Sequence, residues 1–207
     1  MGRVIESQHP LIKHHLSILR NKATPPAQFR DTVKRLTLLL THDATASLPI
    51  HTKEVETPLT TMQGKTLSER IGLVPVLRAG LGMSQAVLEL IPDAEVWHLG
   101  FYRDESTYEP VEYYQKLSNS PPHHALILDP MLATGGSACA AIESVRKWGV
   151  KSISLLCLIA APEGLEKVTT AHNELDIFTC AIDDHLNEQA YIVPGLGDAG
   201  DRIFNTI

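Results

Sequence analysis

Ala125-Leu126-Ile127-Leu128-Asp129-Pro130-Met131-Leu132-Ala133-Thr134-Gly135-Gly136-Ser137-Ala138-Cys139-Ala140-Ala141-Ile142 is the stretch on which the reading of the chain turns. Its first half is a short apolar run closed by an acid and a proline, and its second half opens a helical pattern through Thr134-Gly135-Gly136-Ser137. It predicts a buried strand, a tight loop and a helix N-terminus. Such a loop is a phosphate cradle: glycines let the backbone approach a ligand, the unpaired N–H groups of the first helical turn point at it, and the Thr134 and Ser137 hydroxyls add donors. No lysine stands before Ser137, which disfavours a nucleoside-triphosphate loop of the Walker type. Asp129 ends the strand where a carboxylate can accept hydrogen bonds from two neighbouring sugar hydroxyls, so a ribose 5-phosphate fits the spacing. The plain alternative is an ordinary strand-to-helix turn with a glycine pair.

Working outward, Ile71 to Leu77 is another apolar run suited to a buried parallel strand, followed by Arg78-Ala79-Gly80-Leu81-Gly82 and a helix from about Met83 to Leu90. This is a second anion loop, with Arg78 placed to meet a diphosphate and Ala79 and Gly80 keeping the backbone accessible. A dinucleotide reading of Gly80-x-Gly82 fails at Gln85, where a third glycine would be needed. Val96 to Tyr102 reads as a strand, and residues 103–117 as a polar excursion with three tyrosines, the kind of segment that closes over active sites. Ile153 to Ile159 and Ile177 to Ile182 are further strands, separated by a helix from Pro162 to about His172, and the central helix runs from Ser137 to Trp148. Strands alternating with helices of about ten residues predict an α/β fold, a doubly wound and mostly parallel sheet with ligands at the strands' carboxyl ends.

Residues 1–45 read as helical. His9-Pro10 opens one segment, and Thr24-Pro25 caps a second that carries Phe29, Val33, Leu36 and Leu40. This stripe, widened by Leu38 and Leu39, packs either on the chain's own sheet or on a second subunit. His14-His15 and His123-His124 are adjacent pairs whose side chains point apart, and they read as surface or capping residues. Residues 48–61 suggest an edge strand or arm, and residues 62–70 a polar loop.

The composition narrows the partners. The 207 residues, 43% of them hydrophobic, suit one domain with a full core. A net charge of −6 and a pI near 5.9 argue against nucleic-acid and anionic-membrane surfaces. Three distant cysteines in apolar runs, Cys139, Cys157 and Cys180, indicate neither a disulfide framework nor a zinc site and suit a reducing cytoplasm. No apolar run approaches about 18 residues, so neither a signal peptide nor a membrane span is expected.

Asp129-Pro130-Met131-Leu132-Ala133-Thr134-Gly135-Gly136-Ser137 resembles the phosphoribosyl-diphosphate (PRPP) loop of the uracil phosphoribosyltransferase family, whose variant puts proline where most type I phosphoribosyltransferases carry a second acid. Val74-Pro75-Val76-Leu77-Arg78-Ala79-Gly80-Leu81-Gly82-Met83, Tyr102-Arg103-Asp104-Glu105 and the stretch from Tyr191 to Asp201 resemble that family's other motifs in the same order, so the resemblance spans essentially the whole chain. It implies a single phosphoribosyltransferase domain over 1–207, with a flexible hairpin at 103–117 and a uracil-binding loop and C-terminus at 191–207. PRPP would be bound by Arg78, Arg103, Asp129, Pro130, Met131, Leu132, Ala133, Thr134, Gly135, Gly136, Ser137 and Asp198. Uracil would be bound by Ile192, Gly197, Asp198 and Ala199, with Arg103 and Asp198 as catalytic residues. The products would be UMP and diphosphate. Mg2+ would be carried mainly by PRPP, since the sequence shows no carboxylate cluster. A GTP effector, as in some relatives, and a homodimer or higher homo-oligomer also belong to the resemblance.

Gly195-x-Gly197-x-x-Gly200 satisfies the dinucleotide pattern, but only seven residues follow, which leaves no room for the helix, strand and acid of that motif. A glycine-rich recognition loop is the better reading, with backbone N–H and C=O groups brought close to a base edge. Two rivals stay open. One is an RNA-binding regulator on the same fold, against which the acidic pI counts; the other is a phosphoribosyltransferase for another base.

Overall fold

The apolar runs form strands because each is long enough to lie buried between helix layers, and the striped segments form helices that cover them. The computed structural model describes residues 2–103, 110–115 and 117–206, with the backbone alone for 101–103 and 110–115. In chain order the elements are β1 (Val4–Glu6), α1 (Pro10–Arg20), α2 (Pro26–Thr45), β2 (Ile50–Glu56), β3 (Thr61–Leu67), β4 (Ile71–Leu77), α3 (Leu81–Leu90), β5 (Glu95–Val96), β6 (Leu99–Arg103), β7 (Pro110–Gln115), β8 (His124–Leu128), β9 (Met131–Leu132), α4 (Gly136–Trp148), β10 (Ser152–Ala160), α5 (Pro162–Ala171), β11 (Asp176–Ile182), β12 (His185–Leu186), β13 (Ile192–Val193) and α6 (Ala199–Phe204). The main sheet runs β1-β11-β10-β8-β4-β6-β7, with β5 added beside β4 and β9 beside β10. Its pairings are parallel except for β6 with β7. At its centre Pro75 of β4 stands level with Leu128 of β8, and Leu128 with Leu156 of β10.

Successive strand residues point to opposite faces, so β8 feeds two cores. Leu126 and Leu128 join Leu16 of α1, Phe29 and Leu36 of α2, Met83 of α3 and Ile203 of α6. Ala125 and Ile127 face the other way, onto Ile142 and Val145 of α4 and Val168 of α5. The α2 stripe is therefore spent on the chain's own sheet, with Phe29, Val33, Leu36 and Leu40 fully buried, and Leu38 and Leu39 are only half-buried. All three cysteines are free and buried. Burial pushes the Cys157 thiol up to about 12 and that of Cys180 well above its ordinary value. Among the described residues no helix is long and apolar enough to cross a membrane.

Several expectations are corrected. The N-terminal segment is not wholly helical, since β1 pairs in parallel with β11. Three residues are too few to show a period. Residues 62–70 are not a loop, because Thr61–Leu67 pairs with Ile50–Glu56 in a separate two-stranded arm. That arm is mostly exposed, with Leu59 at its tip 96% exposed, so no buried face imposes an alternating pattern on β3. The strand expected at Val96 to Tyr102 is broken into β5 and β6 by Trp97 and His98. Pro25 rather than Thr24 occupies the N-cap of α2, and the Thr24 hydroxyl instead donates to the Ile18 carbonyl at 2.6 Å. His124 is buried, not a surface residue; its Nδ1 lies 2.8 Å from Ser152 Oγ and its Nε2 3.3 Å from Ser154 Oγ, while burial lowers its pKa. His123 does cap, accepting from Arg70 N at 3.1 Å. The glycines of the dinucleotide-like pattern lead into the six-residue α6, which starts at Ala199 and already contains Gly200. Residues 104–109 and 116 of the expected hairpin lie outside the described residues.

Phe29 is fully buried and also supports the Arg202 guanidinium, 4.2 Å from its ring centroid. Phe29→Ala should lower unfolding stability by about 3–5 kcal/mol, through lost burial and the cavity left behind. Denaturant unfolding should show a lower midpoint with little change in slope.

Candidate active site

The central loop is half strand. After Leu128, the Asp129 N–H donates to Leu156 O at 3.1 Å, and the Pro130 carbonyl accepts from Leu158 and Ile159. Met131 and Leu132 then pair with Ile159 and Ala160 as β9, a feature the sequence reading treated as loop. Gly135 turns the chain with a φ of 76° as N-cap of α4, and the first i→i−4 bond of that helix is Cys139 N to Gly135 O at 2.9 Å. The amides of Gly136, Ser137 and Ala138 precede that bond, as the first turn of a helix requires. The loop encloses a concavity lined by Asp129, Met131 to Ser137 and Ala138. Pro130 does not line it; it is buried and spends its carbonyl on β10.

Asp129 sits at the floor of this concavity, partly buried, with Oδ1 accepting from Met131 N at 3.3 Å. Burial disfavours its charged form and pushes its pKa up to about 6, against the small lowering from the Met131 amide. A carboxyl so placed gains from any hydroxyl that donates to it.

The second loop follows β4. The Leu77-Arg78 peptide is cis, and Gly80 N donates to Val76 O at 2.9 Å before α3 begins. The sequence reading assigned Gly80 to ligand access. The structure gives another reason: a Cβ there would collide with the Leu128 carbonyl, so glycine lets the elbow pack on the end of β8 beside Asp129. Arg78 is more than half exposed and reaches the C-terminal loop, where Nη2 lies 3.2 Å from Asp201 Oδ1 and the guanidinium stands 6.0 Å from the Phe204 ring. Arg103 ends β6 beside β4, and its side chain lies outside the described part of the structure.

In the C-terminal loop the expected contacts divide. Ile192 and Ala199 are buried in the core. Gly197 is exposed, has a φ of 79°, and would meet only Arg202 Cδ at 3.7 Å if it carried a Cβ. Asp198 caps α6, its Oδ1 accepting from Asp201 N at 2.9 Å. A Cβ on Gly200 would lie 3.2 Å from Asp198 Oδ1, 3.8 Å from Ala79 and 3.9 Å from Arg78 Nη2, so the Arg78 loop and the C-terminal loop meet at this point.

Arg202, which sequence reading passed over, fixes this loop to the N-terminal helices. Its Nη1 donates to Leu19 O at 2.8 Å and Leu196 O at 2.7 Å, and its Nη2 to Asn21 O at 2.7 Å, satisfying carbonyls left open at the end of α1. No local pattern could mark a contact that spans 181 to 183 residues.

Comparisons with known proteins give the family and the fold. The family model described as uracil phosphoribosyltransferase matches residues 6–206. The chain is similar to the uracil phosphoribosyltransferases of Roseiflexus castenholzii, 52% identical over 210 residues, and Symbiobacterium thermophilum, 51% identical over 208, with all of each chain covered. Among solved structures it is similar to the AQ2163 protein from Aquifex aeolicus, with TM-score 0.93, 38% identity and 98% of each chain covered. A hypoxanthine phosphoribosyltransferase from Staphylococcus aureus shares the fold at TM-score 0.53 and 12% identity over 76% of each chain. With an α/β sheet that ends in a concavity at the N-terminus of α4 and relatives matched along its full length, the chain belongs to the uracil phosphoribosyltransferase family.

Proposed function

We propose that the chain is one phosphoribosyltransferase domain that transfers ribose 5-phosphate from PRPP to N1 of uracil, giving UMP and diphosphate. The observation that carries this reading is the concavity at residues 129–138, where one carboxylate and a helix N-terminus lie together at the end of β8. The helix amides and hydroxyls of Thr134 to Ser137 suit the 5-phosphate, and Asp129 suits the two ribose hydroxyls. The ribosyl C1–O bond breaks with its electron pair leaving on diphosphate, the bond from N1 to C1 forms, and the N1 proton is lost. Asp198 is the carboxylate of the base loop available to that proton. Arg78 and Arg103 end neighbouring strands and suit the departing diphosphate, so the chain's contribution is alignment and charge stabilisation without a covalent nucleophile.

Among the described residues no group of three or more His, Cys, Asp or Glu could hold a metal ion. Mg2+ needs few protein ligands when phosphate oxygens and waters complete its shell, so the donor set fits an ion carried by PRPP with Asp129 or Asp198 nearby. When bound, it supplies neutralisation of the diphosphate charge. The free buried thiols support a cytoplasmic setting. The exposed apolar residues of the β2–β3 arm, Ile50, Leu59 and Met62 among them, support a homo-oligomer.

Uracil's edge offers two carbonyl acceptors and an N–H donor. The backbone at exposed Gly197 and half-buried Asp198 supplies the matching groups, because Ile192 and Ala199 are buried. Cytosine reverses part of that pattern and would leave loop groups unpaired at about 1–3 kcal/mol each. Gly197→Val forces a β-branched residue into a positive-φ site and fills the space beside the base. UMP formation should be abolished while PRPP binding survives; a variant making UMP near the parent rate refutes backbone recognition.

Replacing Arg103 by alanine should lower turnover more than it raises the KM for uracil, because stabilising a leaving group acts in the transition state. Near-normal turnover would remove Arg103 from the mechanism.

Asp129 supplies a pH signature. Its folded pKa near 6 lies above the ordinary 3.8, so its contribution to stability is complete below about 3.8 and is lost as pH rises through 6. Hydroxyls donate more strongly to the ionised form, so PRPP affinity should hold steady above pH 7 and fall below 6, by at most about tenfold per unit. The 5-phosphate titrates in the same range, which makes the comparison with Asp129→Asn decisive. That variant should bind PRPP about 1–3 kcal/mol more weakly, lose the carboxyl's part of the pH step, and unfold later than the parent at pH 8 without ligand. Calorimetric titration across pH 5–8 checks the first two outcomes and thermal unfolding the third.

A further inference from the structure

A glycine-rich loop has little of its own to hold it in one conformation, so its order must come from anchors. Arg202 is one. The other is a buried ion pair that joins the two ends of the chain. Asp183 follows β11 directly, with its side chain 3% exposed. Its Oδ1 accepts from Arg20 Nη2 at 2.5 Å, and its Oδ2 accepts from Arg20 Nη1 at 2.8 Å and from the Gly195 N–H at 3.0 Å. Arg20 Nη1 also donates to the Gly195 carbonyl at 2.8 Å. One ion pair thus grips both polar backbone atoms of one residue. Gly195 is buried with a φ of 63°, and Gly197, two residues on, is exposed with a φ of 79°. The anchor lies inside and the open backbone stands just beyond it.

Burying an ion pair adds little net stability, because desolvation offsets the attraction. What a planar guanidinium and a carboxylate supply is orientation: the two-pronged contact fixes the plane of each group, and through them the two peptide planes that flank Gly195. We propose that Arg20 and Asp183 are positioning residues for the nucleobase, holding the backbone of 195–199 in the one arrangement that pairs with the base edge. This rests on reading that loop as the base-recognition loop. Neither residue touches substrate. Arg20 is the last residue of α1, so the N-terminal helix takes part in base binding without contacting the base.

The test is steady-state kinetics of the full chain carrying Arg20→Ala, Arg20→Lys or Asp183→Asn, with uracil and PRPP varied in turn. Arg20→Ala and Asp183→Asn should raise the KM for uracil by about tenfold or more, leaving the KM for PRPP and the turnover at saturating uracil within about twofold. Arg20→Lys should fall between, since it keeps the charge and loses the two-pronged contact. Arg20 is 24% exposed in its side chain, so the slot left by Arg20→Ala opens to solvent, and added guanidinium at millimolar concentration should restore the uracil KM. An unchanged uracil KM overturns the proposal. So does a rise shared by both substrates that tracks a loss of thermal stability and is not rescued by guanidinium, since that is a structural role alone. Where Asp183→Asn does not fold, Arg20→Ala and its rescue carry the test. Gly197→Val separates the two readings: if it spares uracil use, the loop reading falls and this proposal with it; if it abolishes uracil use while Arg20→Ala leaves the uracil KM unchanged, only the clamp falls.

Discussion

Everything at the site depends on the even register of three parallel strands. Because Pro75, Leu128 and Leu156 stand level across β4, β8 and β10, β8 ends beside β4 two residues before β4 itself ends at Leu77, and the loops that follow the two strands start side by side. Arg78 and Asp129 belong to loops far apart in sequence, yet the backbone ladder sets those loops on adjacent strands before any ligand arrives. The elbow at Gly80 resting on the Leu128 carbonyl is the closest expression of that constraint. β10, with nine residues against the five of β8, extends beyond its neighbour, and the surplus is used by β9. A loop that would otherwise be held at its two ends is thereby also held along one side, which suits a cradle that must be rigid to gain from preorganised donors.

The opposite wall is built differently. It has no ladder of comparable length, only the two-residue strands β12 and β13 and the short helix α6. Arginines supply the order instead. Arg202 threads the carbonyls at the end of α1 to Leu196, and Arg20 with Asp183 holds Gly195. The helix α1 and residues 195–206 are therefore tied together over the sheet face that also carries α2 and α3.

Much of this was legible in the sequence because it is local. Ile71–Leu77 is a continuous apolar run with the bounds observed for β4, and α4 ends at Gly149 with the positive φ that a helix-terminating glycine supplies. The cradle was legible for the same reason: its glycines, hydroxyls and acid are consecutive. What escaped is set by distance or by solvent. β3 shows no alternation because neither of its faces is buried; β1 is three residues long; His124 is buried because serines from the neighbouring strand satisfy its ring. Asp183 looks like one of two surface acids in Ile182-Asp183-Asp184 until an arginine 163 residues earlier closes on it. The buried positions of Ile192 and Ala199 could not be seen either, since nothing in a glycine-rich stretch shows which way its few side chains turn.

The sheet's sulfur chemistry follows from the same burial that builds the core. A thiol held near pKa 12, as Cys157 is, exists as thiolate about once in 10⁵ molecules at pH 7, and thiolate is the form that peroxide and electrophiles attack. Burial also holds the Cys180 thiol well above its ordinary value. The strand interior is in effect inert to oxidants and alkylating reagents while the chain stays folded, so thiol labelling of these two positions becomes a clock for opening of the central sheet.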